Sequence, residues 1–567
     1  MLPRLALTIG LAAVLLGMAG CASYGDGIQA ALQQLEQGNY ERAGARLERA
    51  LSPRGDDRLL FFLERGTLAH LAGDYRASNE ALERAHNLAD EMRARAAADR
   101  LASAVLTPRE AEYRGTDVER VYINYYKALN YLMLAQGSGG AAERAGHLES
   151  AGVEIRRLGK KLSAIRFEEG GYEAARGEEE GAFRELMALF RRFLGNGLDP
   201  ERLVFREDAY LRYLAGVLYE KSGELDDARI AYERAARLYE EGYRAQYRLD
   251  GGVAEQAWLD AIRVMRRAGG YEQEWRRLAR RKLSAQGRAR LEALGPRQGQ
   301  LLVIQHLGRV PRLQEMNLRM TAHPERTALR LHPVPTGDAQ RRRDQRRWFH
   351  LLYADKGVKD LLVRYLDPYA PALNPPIAQK TVILGPAWEA ARELSIPQGV
   401  GKLGIRVTVP FYAPLRTELG DSQVRVDGAA GQRLLQAESV SQLVIQNRLL
   451  RADREIYAAL ARATLKNVAA AQLGEELGGA LGRLAGKALA SASSAAETRS
   501  WLTIPYAIRI ARIPVAPGEH TVRLTTSTRA GATLAESERR ITVAPGQTRV
   551  WIQRTMDPTQ RLSGVGQ

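Results

Sequence analysis

The sequence contains one cysteine, Cys21, among its 567 residues. No disulfide can form within a single chain, so the stability of the fold must come from packing. Only eight histidines are present, and they show no HExxH or other paired spacing, so the sequence predicts no metal site. The apolar run from Leu5 to Leu16 is too short to span a membrane.

Motifs that mark catalytic sites are also missing. No GxSxG elbow occurs, and no serine has an evident histidine and aspartate to activate it. Gly399, Gly401 and Gly404 spell GxGxxG, but a strand is predicted after them where a dinucleotide site requires a helix, so they indicate a turn. The sequence therefore predicts a non-enzymatic protein without a cofactor.

The first twenty residues have the pattern of a secretory signal. Arg4 gives a positive start, an apolar run follows, and the small residues Gly17 to Gly20 precede Cys21. A cysteine at this place is similar to the lipobox of bacterial lipoproteins, although Met18 stands where that motif usually has leucine. We therefore expect the signal to be removed and Cys21 to carry lipid. The alternative is an ordinary secretory signal with an incidental cysteine.

The predicted organisation after the signal peptide (1–20) begins with a lipidated tether, 21–26. Ala22 follows the cysteine, and by similarity to enterobacterial sorting rules this residue favours the outer membrane, with the protein facing the periplasm or the cell surface. The formal net charge is +17. An exported basic protein meets anionic lipids and cell-wall polymers before nucleic acid, so no nucleic-acid partner is expected.

Internal similarity predicts helical repeats over residues 27–293. The pattern from Gly38 to Ala50 recurs 35 residues later, from Gly73 to Ala85, and a further copy runs from Gly216 to Ala235. The last copy has the spacings of a tetratricopeptide (TPR) repeat, in which small residues lie where two antiparallel helices touch. We expect a TPR-like α-solenoid.

Aligning the repeats predicts which side chains line a concave groove. They come from the first helix of each pair: Thr67, His70, Tyr122, Tyr125, Tyr210, Tyr213 and Glu220. Tyrosine offers a large contact area at low entropic cost, so such a groove suits a peptide or polymer ligand. In the alternative interpretation the rings simply pack against neighbouring helices.

After Pro296 the pattern changes to the alternation of strands, and residues 294–567 are predicted to form a β-sandwich-like domain. The predicted strands are Leu301–His306, Thr327–Leu331, Ile405–Phe411, Gln423–Val426, Tyr506–Ile513, His520–Thr525 and Arg549–Gln553. Residues 333–387 are predicted to be an insertion of helix and loop, and 439–496 a long helical segment. The predicted fold class is α+β.

Two further features of this half suggest interactions. Small residues recur every four positions in the helical segment, at Gly474, Gly478, Gly482 and Gly486. This spacing places them on nearly one face of a helix, where another backbone can approach closely. The face could therefore form an oligomer contact or pack onto the body of the protein. A basic run in a loop-like stretch is a candidate site for phosphates or acidic head groups, or else an exposed linker: Arg341, Arg342, Arg343, Arg346 and Arg347.

Three segments carry a resemblance to a known family. Residues 113–132, 151–158 and 497–512 resemble hallmark stretches of a proteobacterial family of uncharacterised outer-membrane lipoproteins with TPR repeats. The resemblance implies a lipid anchor and a two-part architecture, and it supplies no activity. Genes of that family can neighbour those of lipoproteins that activate peptidoglycan synthases, which implies a role in envelope assembly.

The sequence thus predicts a non-enzymatic scaffold of the cell envelope that binds a protein partner. The alternative is a binder or sensor of an anionic envelope polymer, lipopolysaccharide or peptidoglycan. An enzyme would require a pocket assembled from residues far apart in the sequence.

Overall fold

The computed structural model describes most of the chain between residues 27 and 557. The described residues are 27–98, 111–170, 206–295, 297–353, 362, 364–365, 378–393, 396–400, 404–476 and 495–557. Helices occupy the first half and three sheets the second, so the chain has the predicted α+β class. The signal peptide and Cys21 lie outside the described residues.

The described part of the first half is helical. The bounds of its helices are α1 Gln29–Glu36, α2 Tyr40–Ala50, α3 Arg58–Ala72, α4 Tyr75–Ala98, α5 Asp117–Gly137, α6 Ala141–Gly170, α7 Ala209–Ser222, α8 Leu225–Leu238, α9 Gly252–Ala268, α10 Glu272–Lys282 and α11 Ala285–Ala293. A π-helical turn, Tyr239–Tyr243, and a short helix, Arg244–Gln246, continue α8.

Two helical hairpins, α3–α4 and α7–α8, turn and pack in the same way. Gly73 and Gly223 end the first helix of each pair with φ of +84° and +85°, a left-handed conformation that glycine adopts without strain. Within the hairpins, a Cβ at Gly66 would lie 2.6 Å from Leu82 Cγ, and one at Gly216 would lie 2.6 Å from Tyr232 Cδ1. The paired helices therefore approach too closely for a larger residue.

Gly216→Ala is expected to lower the free energy of unfolding by about 1 to 3 kcal/mol, because the buried Tyr232 ring must move to admit the methyl group. Gly44→Ala in α2 is the matched control, since no atom lies within 4 Å of its added Cβ, and it should raise stability by about 0.4 to 1 kcal/mol. Urea unfolding followed by circular dichroism measures both. Equal changes in stability at Gly216 and Gly44 would contradict the close approach of α7 and α8 at Gly216.

Twelve strands form three sheets in the part of the chain that the structure describes. They are β1 Gly299–Leu307, β2 Leu313–His323, β3 Ala328–Pro333, β4 Lys380–Ile383, β5 Ile405–Tyr412, β6 Leu419–Val426, β7 Gln432–Arg433, β8 Leu435–Glu438, β9 Ala507–Val515, β10 Gly518–Thr528, β11 Thr533–Val543 and β12 Thr548–Thr555. Each of the seven predicted strands overlaps one of them, whereas β2, β4, β7, β8 and β11 were not predicted.

The strand order is β12-β1-β9-β8 in sheet I, β11-β10-β6-β7 in sheet II and β4-β3-β2-β5 in sheet III. One pair of neighbouring strands, β1 and β12, is parallel. The remaining pairs are antiparallel.

Sheet I lies between the helices and sheet II. Side chains alternate between the two faces of a strand, and both faces of sheet I are apolar. Leu302, Ile304 and Ile508 belong to the core shared with the helices. Val303 and Trp551 belong to the core shared with sheet II. The helices and the two sheets are therefore held together by continuous packing.

Sheet III packs against helices α12 Ala339–Tyr353, α13 Trp388–Glu393, α14 Ile396–Val400 and α15 Val440–Glu476 around a separate core. The predicted insertion thus contributes helix α12 and strand β4 to this unit. The basic run lies in α12, so the prediction of a loop there was wrong. One side of α12 buries Trp348, Phe349 and Leu352, which stabilises the helix whatever the charge of its other side.

Helix α15 accounts for the first part of the predicted helical segment. It is described over 37 residues, to Glu476, and residues 495 and 496 are not helical. Gly474 lies in this helix, whereas Gly478, Gly482 and Gly486 lie outside the described residues. Association through the glycine row stays a prediction.

Candidate functional site

The predicted groove residues lie beneath sheet I and the loop that contains Trp501. The structure buries all seven side chains: Thr67, His70, Tyr122, Tyr125, Tyr210, Tyr213 and Glu220. The expectation of a groove open to a ligand is therefore wrong for these residues. The physical reason is that the chain's own second half contributes apolar and polar groups that cover them.

Direct hydrogen bonds join these residues to the second half. Tyr125 Oη lies 2.6 Å from His306 Nε2 in β1, and Trp501 Nε1 donates to Thr67 Oγ1 at 2.9 Å. On the helical side, His70 Nδ1 lies 2.6 Å from Asn130 Oδ1. Burial lowers the pKa of His70 to about 4, so its imidazole is neutral at pH 7.

Glu220 belongs to a buried network of charges. Arg263 Nη2 lies 2.5 Å and Arg512 Nη2 2.8 Å from Glu220 Oε2, and Arg512 Nη1 lies 3.2 Å from Asp260 Oδ1. Burial alone would raise the pKa of Glu220, but the two guanidinium groups hold it well below its usual range. This network joins helices α7 and α9 to strand β9.

Two of the segments behind the family resemblance meet in space. Glu119 Oε1 accepts a hydrogen bond of 2.6 Å from the main-chain N–H of Trp501, and Tyr113 Oη donates to Glu119 Oε2 at 2.7 Å. The Arg499 guanidinium lies 5.4 Å from the centre of the Tyr113 ring. The Trp501 ring is buried in the same junction. These segments therefore have a structural role in joining the two halves.

A pair of carboxyl groups is buried where α7 begins beside strand β8. Asp208 caps the helix by accepting from Leu211 N at 2.8 Å, and Glu438 accepts from Tyr243 Oη at 2.5 Å. The two carboxyl groups also share a hydrogen bond. Burial raises the pKa of Asp208 to about 6, and burial and then the Asp208 charge raise that of Glu438 well above its usual range. One proton is therefore retained by the pair near neutral pH.

Glu438→Gln is expected to stabilise the protein by about 1 to 2 kcal/mol at pH 7 relative to the wild type. A carboxyl whose pKa is raised on folding contributes its full stability below the unfolded pKa, near 4, and loses it as pH rises through the folded pKa. The gain should therefore grow between pH 4 and pH 7, and urea unfolding at several pH values measures it. The exposed Glu519→Gln is the control. A gain that does not change with pH would contradict the shared proton.

A polar pocket of about 640 Å³ opens where the loop before α9 meets sheets I and II. Its charged lining consists of four arginines and two aspartates: Arg248, Arg433, Arg509, Arg529, Asp250 and Asp421. Leu249, Leu419 and Tyr506 add apolar surface, and Gln436, Ser527 and Thr528 add further hydrogen-bonding groups. This is the size of pocket that takes a small ligand or the end of a larger one.

Arg509 forms the most buried cationic part of the pocket. It points from β9 into the space between sheets I and II, is 8% exposed, and donates to Ser422 Oγ at 2.9 Å. No carboxylate of the described residues lies within 4 Å of its guanidinium. Burial lowers its pKa, although Tyr506 and two aspartates oppose that effect.

Arg433 closes one side of the pocket by bridging the helical half and sheet II. Its Nη1 lies 3.1 Å from Asp250 Oδ1, and its Nη2 lies 3.1 Å from Asp421 Oδ1. Asp250 Oδ2 also accepts from the main-chain N–H of Gln436 at 2.6 Å. These contacts hold the two aspartates at the pocket wall.

Backbone irregularities surround the same pocket. Arg248 has φ of +54°, which is uncommon for a residue with a side chain, and such strain is often found at binding sites. The register of β10 shifts between Thr526 and Thr528, a bulge that bends the strand beside the opening. The pocket thus has several features of a binding site that the sequence did not reveal.

The predicted basic run is separate from the pocket lining. Arg342, Arg343 and Arg346 are exposed on α12, while Arg341 and Arg347 are half-buried. The Arg347 guanidinium lies 5.6 Å from the centre of the Tyr365 ring. The run therefore forms a charged helix face beside sheet III.

The described ranges contain neither a helix suited to crossing a membrane nor a cluster of potential metal ligands. None of the helices in those ranges is both long and apolar enough to cross a membrane. Within the same ranges, no group of three or more His, Cys, Asp or Glu side chains is placed to hold a metal ion.

No family model and no curated protein matches this chain. Among solved structures, it is similar to the crystal structure of BtubC (BKLC) from P. vanneervenii, with 17% sequence identity. That match covers 48% of this chain and 94% of the other, with a TM-score of 0.19. A TM-score this low carries no argument about fold or function.

Proposed function

We propose that this protein is a non-enzymatic binding protein of the cell envelope, anchored by lipid on Cys21, that holds an anionic group of an envelope component in the pocket around Arg509. The observation that carries the proposal is a buried guanidinium that faces an open pocket without a carboxylate partner within 4 Å among the described residues. A buried charge without a directly bonded counter-ion is unfavourable, and a bound anion would supply that direct partner to Arg509.

The placement of the other charges supports an anionic ligand. Arg248 and Arg529 lie at the exposed rim, where they attract an anion from solution. The buried tyrosines offer no such access, because the chain covers them itself. An exported basic protein meets phosphorylated and carboxylated polymers, so lipopolysaccharide and peptidoglycan are the expected ligands.

Arg509→Met is expected to weaken binding of the full-length protein to an envelope polymer by about tenfold or more, because a charged hydrogen bond to the ligand is worth roughly 1.5 to 3 kcal/mol. Co-sedimentation with peptidoglycan and capture on immobilised lipopolysaccharide measure the affinity. Arg523→Met on the outer face of sheet II is the matched control, since Arg523 pairs only with surface glutamates.

Two outcomes would count against the pocket. The first is that the polymer still binds to the Arg509→Met variant but no longer binds when Arg343 and Arg346 are changed to glutamate. That result would assign binding to the basic face of α12 instead of the pocket. Absence of binding to either polymer by the wild type would overturn the proposal itself.

A scaffold for a protein partner is the second candidate. It is supported by the α3–α4 and α7–α8 hairpins, whose close glycine contacts are those expected of TPR units. Crosslinking in cells followed by mass spectrometry tests it, and recovery of no envelope protein would exclude it. Cys21→Ser tests the anchor in both candidates, since the variant should lose lipid labelling and membrane attachment.

A further inference from the structure

We infer that the pocket around Arg509 binds a phosphate monoester carried on a sugar. This inference rests on the proposed function and specifies the chemical class of its ligand. It follows from the charge balance of the pocket, from the surroundings of Arg509 and from the space beside it.

The charge balance of the lining favours a ligand with two negative charges. The four arginines and two aspartates of the lining have a formal net charge of +2. Both aspartates contact Arg433 directly, whereas their charges act on Arg509 from beyond 4 Å. A phosphate monoester carries about 1.5 to 2 negative charges at pH 7, whereas a carboxylate carries one.

Arg509 differs from the other buried arginines of the described chain. Arg512, Arg499 and Arg309 each pair with a carboxylate, and Arg554 donates to two main-chain carbonyls instead. Among the described residues, the Arg509 guanidinium donates to the Ser422 hydroxyl, and Arg509 also lines the pocket. The planar guanidinium matches the geometry of phosphate oxygens.

The space beside Arg509 exceeds what a phosphate alone would occupy. The pocket of about 640 Å³ continues past Arg509 to Gln436, Ser527 and Thr528. Amide and hydroxyl groups are suited to the hydroxyls of a sugar, and Tyr506 supplies an aromatic ring. The ligand therefore combines a dianion with a hydroxylated ring.

The test measures calorimetric binding of three soluble probes to the full-length protein in detergent. Glucose 1-phosphate should bind about tenfold more tightly than glucuronate, and glucose should bind too weakly to measure. Affinity for glucose 1-phosphate should rise between pH 5 and pH 7.5, because the second phosphate ionisation lies near pH 6. Affinity for glucuronate should stay constant over that range.

Variants at the wall and rim of the pocket test the charge balance. Asp421→Asn should strengthen binding of glucose 1-phosphate several-fold by removing a negative charge, and Arg529→Met should weaken it. The exposed Arg529 keeps the test informative if Arg509→Met fails to fold. Arg523→Met, outside the pocket, should leave the affinity unchanged.

The outcomes separate this inference from the proposed function. Equal affinity for glucuronate and glucose 1-phosphate would overturn the phosphate assignment while leaving an anion site. Failure of glucose 1-phosphate to bind, with Arg509-dependent binding of an envelope polymer intact, would do the same.

Vesicles distinguish the source of the phosphate. Competition by glucose 1-phosphate against vesicles containing lipopolysaccharide, but not against phosphatidylglycerol vesicles, indicates a phosphorylated sugar on a glycolipid. Binding of the soluble sugar phosphate without binding to either kind of vesicle indicates a free metabolite. Equal binding to both kinds of vesicle, unaffected by Arg509→Met, would overturn the inference.

Discussion

Arg512→Met is expected to lower the free energy of unfolding by about 3 to 5 kcal/mol. Arg512 is 3% exposed and lies between Glu220 and Asp260 at the junction of the helices with strand β9. Methionine fills a similar volume but leaves the two carboxylates with Arg263 as their remaining buried cation. Urea unfolding at pH 7 measures the loss.

The control for this variant is an arginine in a solvated ion pair. Arg523 is about half exposed and contacts Glu536 and Glu538, so Arg523→Met should change stability by less than about 1 kcal/mol. If the two variants lost the same stability, the buried network would not be the link between the two halves.

Trp501→Ala is expected to destabilise the protein by about 3 to 5 kcal/mol through the cavity it leaves. The indole is fully buried, lies 5.7 Å from the Tyr126 ring between centres, and donates to Thr67. Its removal also leaves the Thr67 hydroxyl without that donor. Thermal unfolding and urea unfolding should both shift.

Trp275→Ala provides the comparison for a tryptophan that is only partly buried. Trp275 lies on α10, with the Arg276 guanidinium 5.1 Å from its ring centre. Its truncation should lower stability by less than about 2 kcal/mol. A larger loss at Trp275 than at Trp501 would show that the covered face of the helices contributes little to stability.

The strand predictions succeeded where one face of a strand is apolar. β1 is buried throughout, and β5 and β9 are buried at most positions, so apolar residues predominate in their sequences. β11 was missed because it is an edge strand whose residues from Thr533 to Arg540 are exposed or half-buried, so no apolar alternation marks it. The apolar pattern of a strand reflects how many of its side chains are buried, and an edge strand buries few of them.

Aligning the repeats identified side chains that lie on one face of the helices, but it did not predict that the second half of the chain covers this face. Tyr125 and Tyr210 share that face, and their hydroxyls lie 3.2 Å apart. The atom that lies against Tyr125 belongs to His306, 181 residues later in the chain. No repeat pattern within the first half carries information about such a distant contact.

The pocket could not be predicted for a related reason. Arg248, Arg433 and Arg509 belong to three separate segments that the topology brings together. Their spacing in the sequence matches no motif, because the pocket depends on how sheets I and II are arranged in space. By contrast, the dense arginines of α12 are evident in the sequence as a run, although this helix also buries Trp348, Phe349 and Leu352.

The parallel pairing of β1 with β12 also constrains the order of folding. Gln300 lies opposite Thr548, so the first strand of sheet I acquires one of its two neighbours only from the last strand described. Contacts between residues so far apart in sequence form slowly. A nascent chain therefore exposes an apolar strand edge until β12 has been made. Chains truncated before Thr548 are expected to aggregate or to be degraded more readily than the full-length chain.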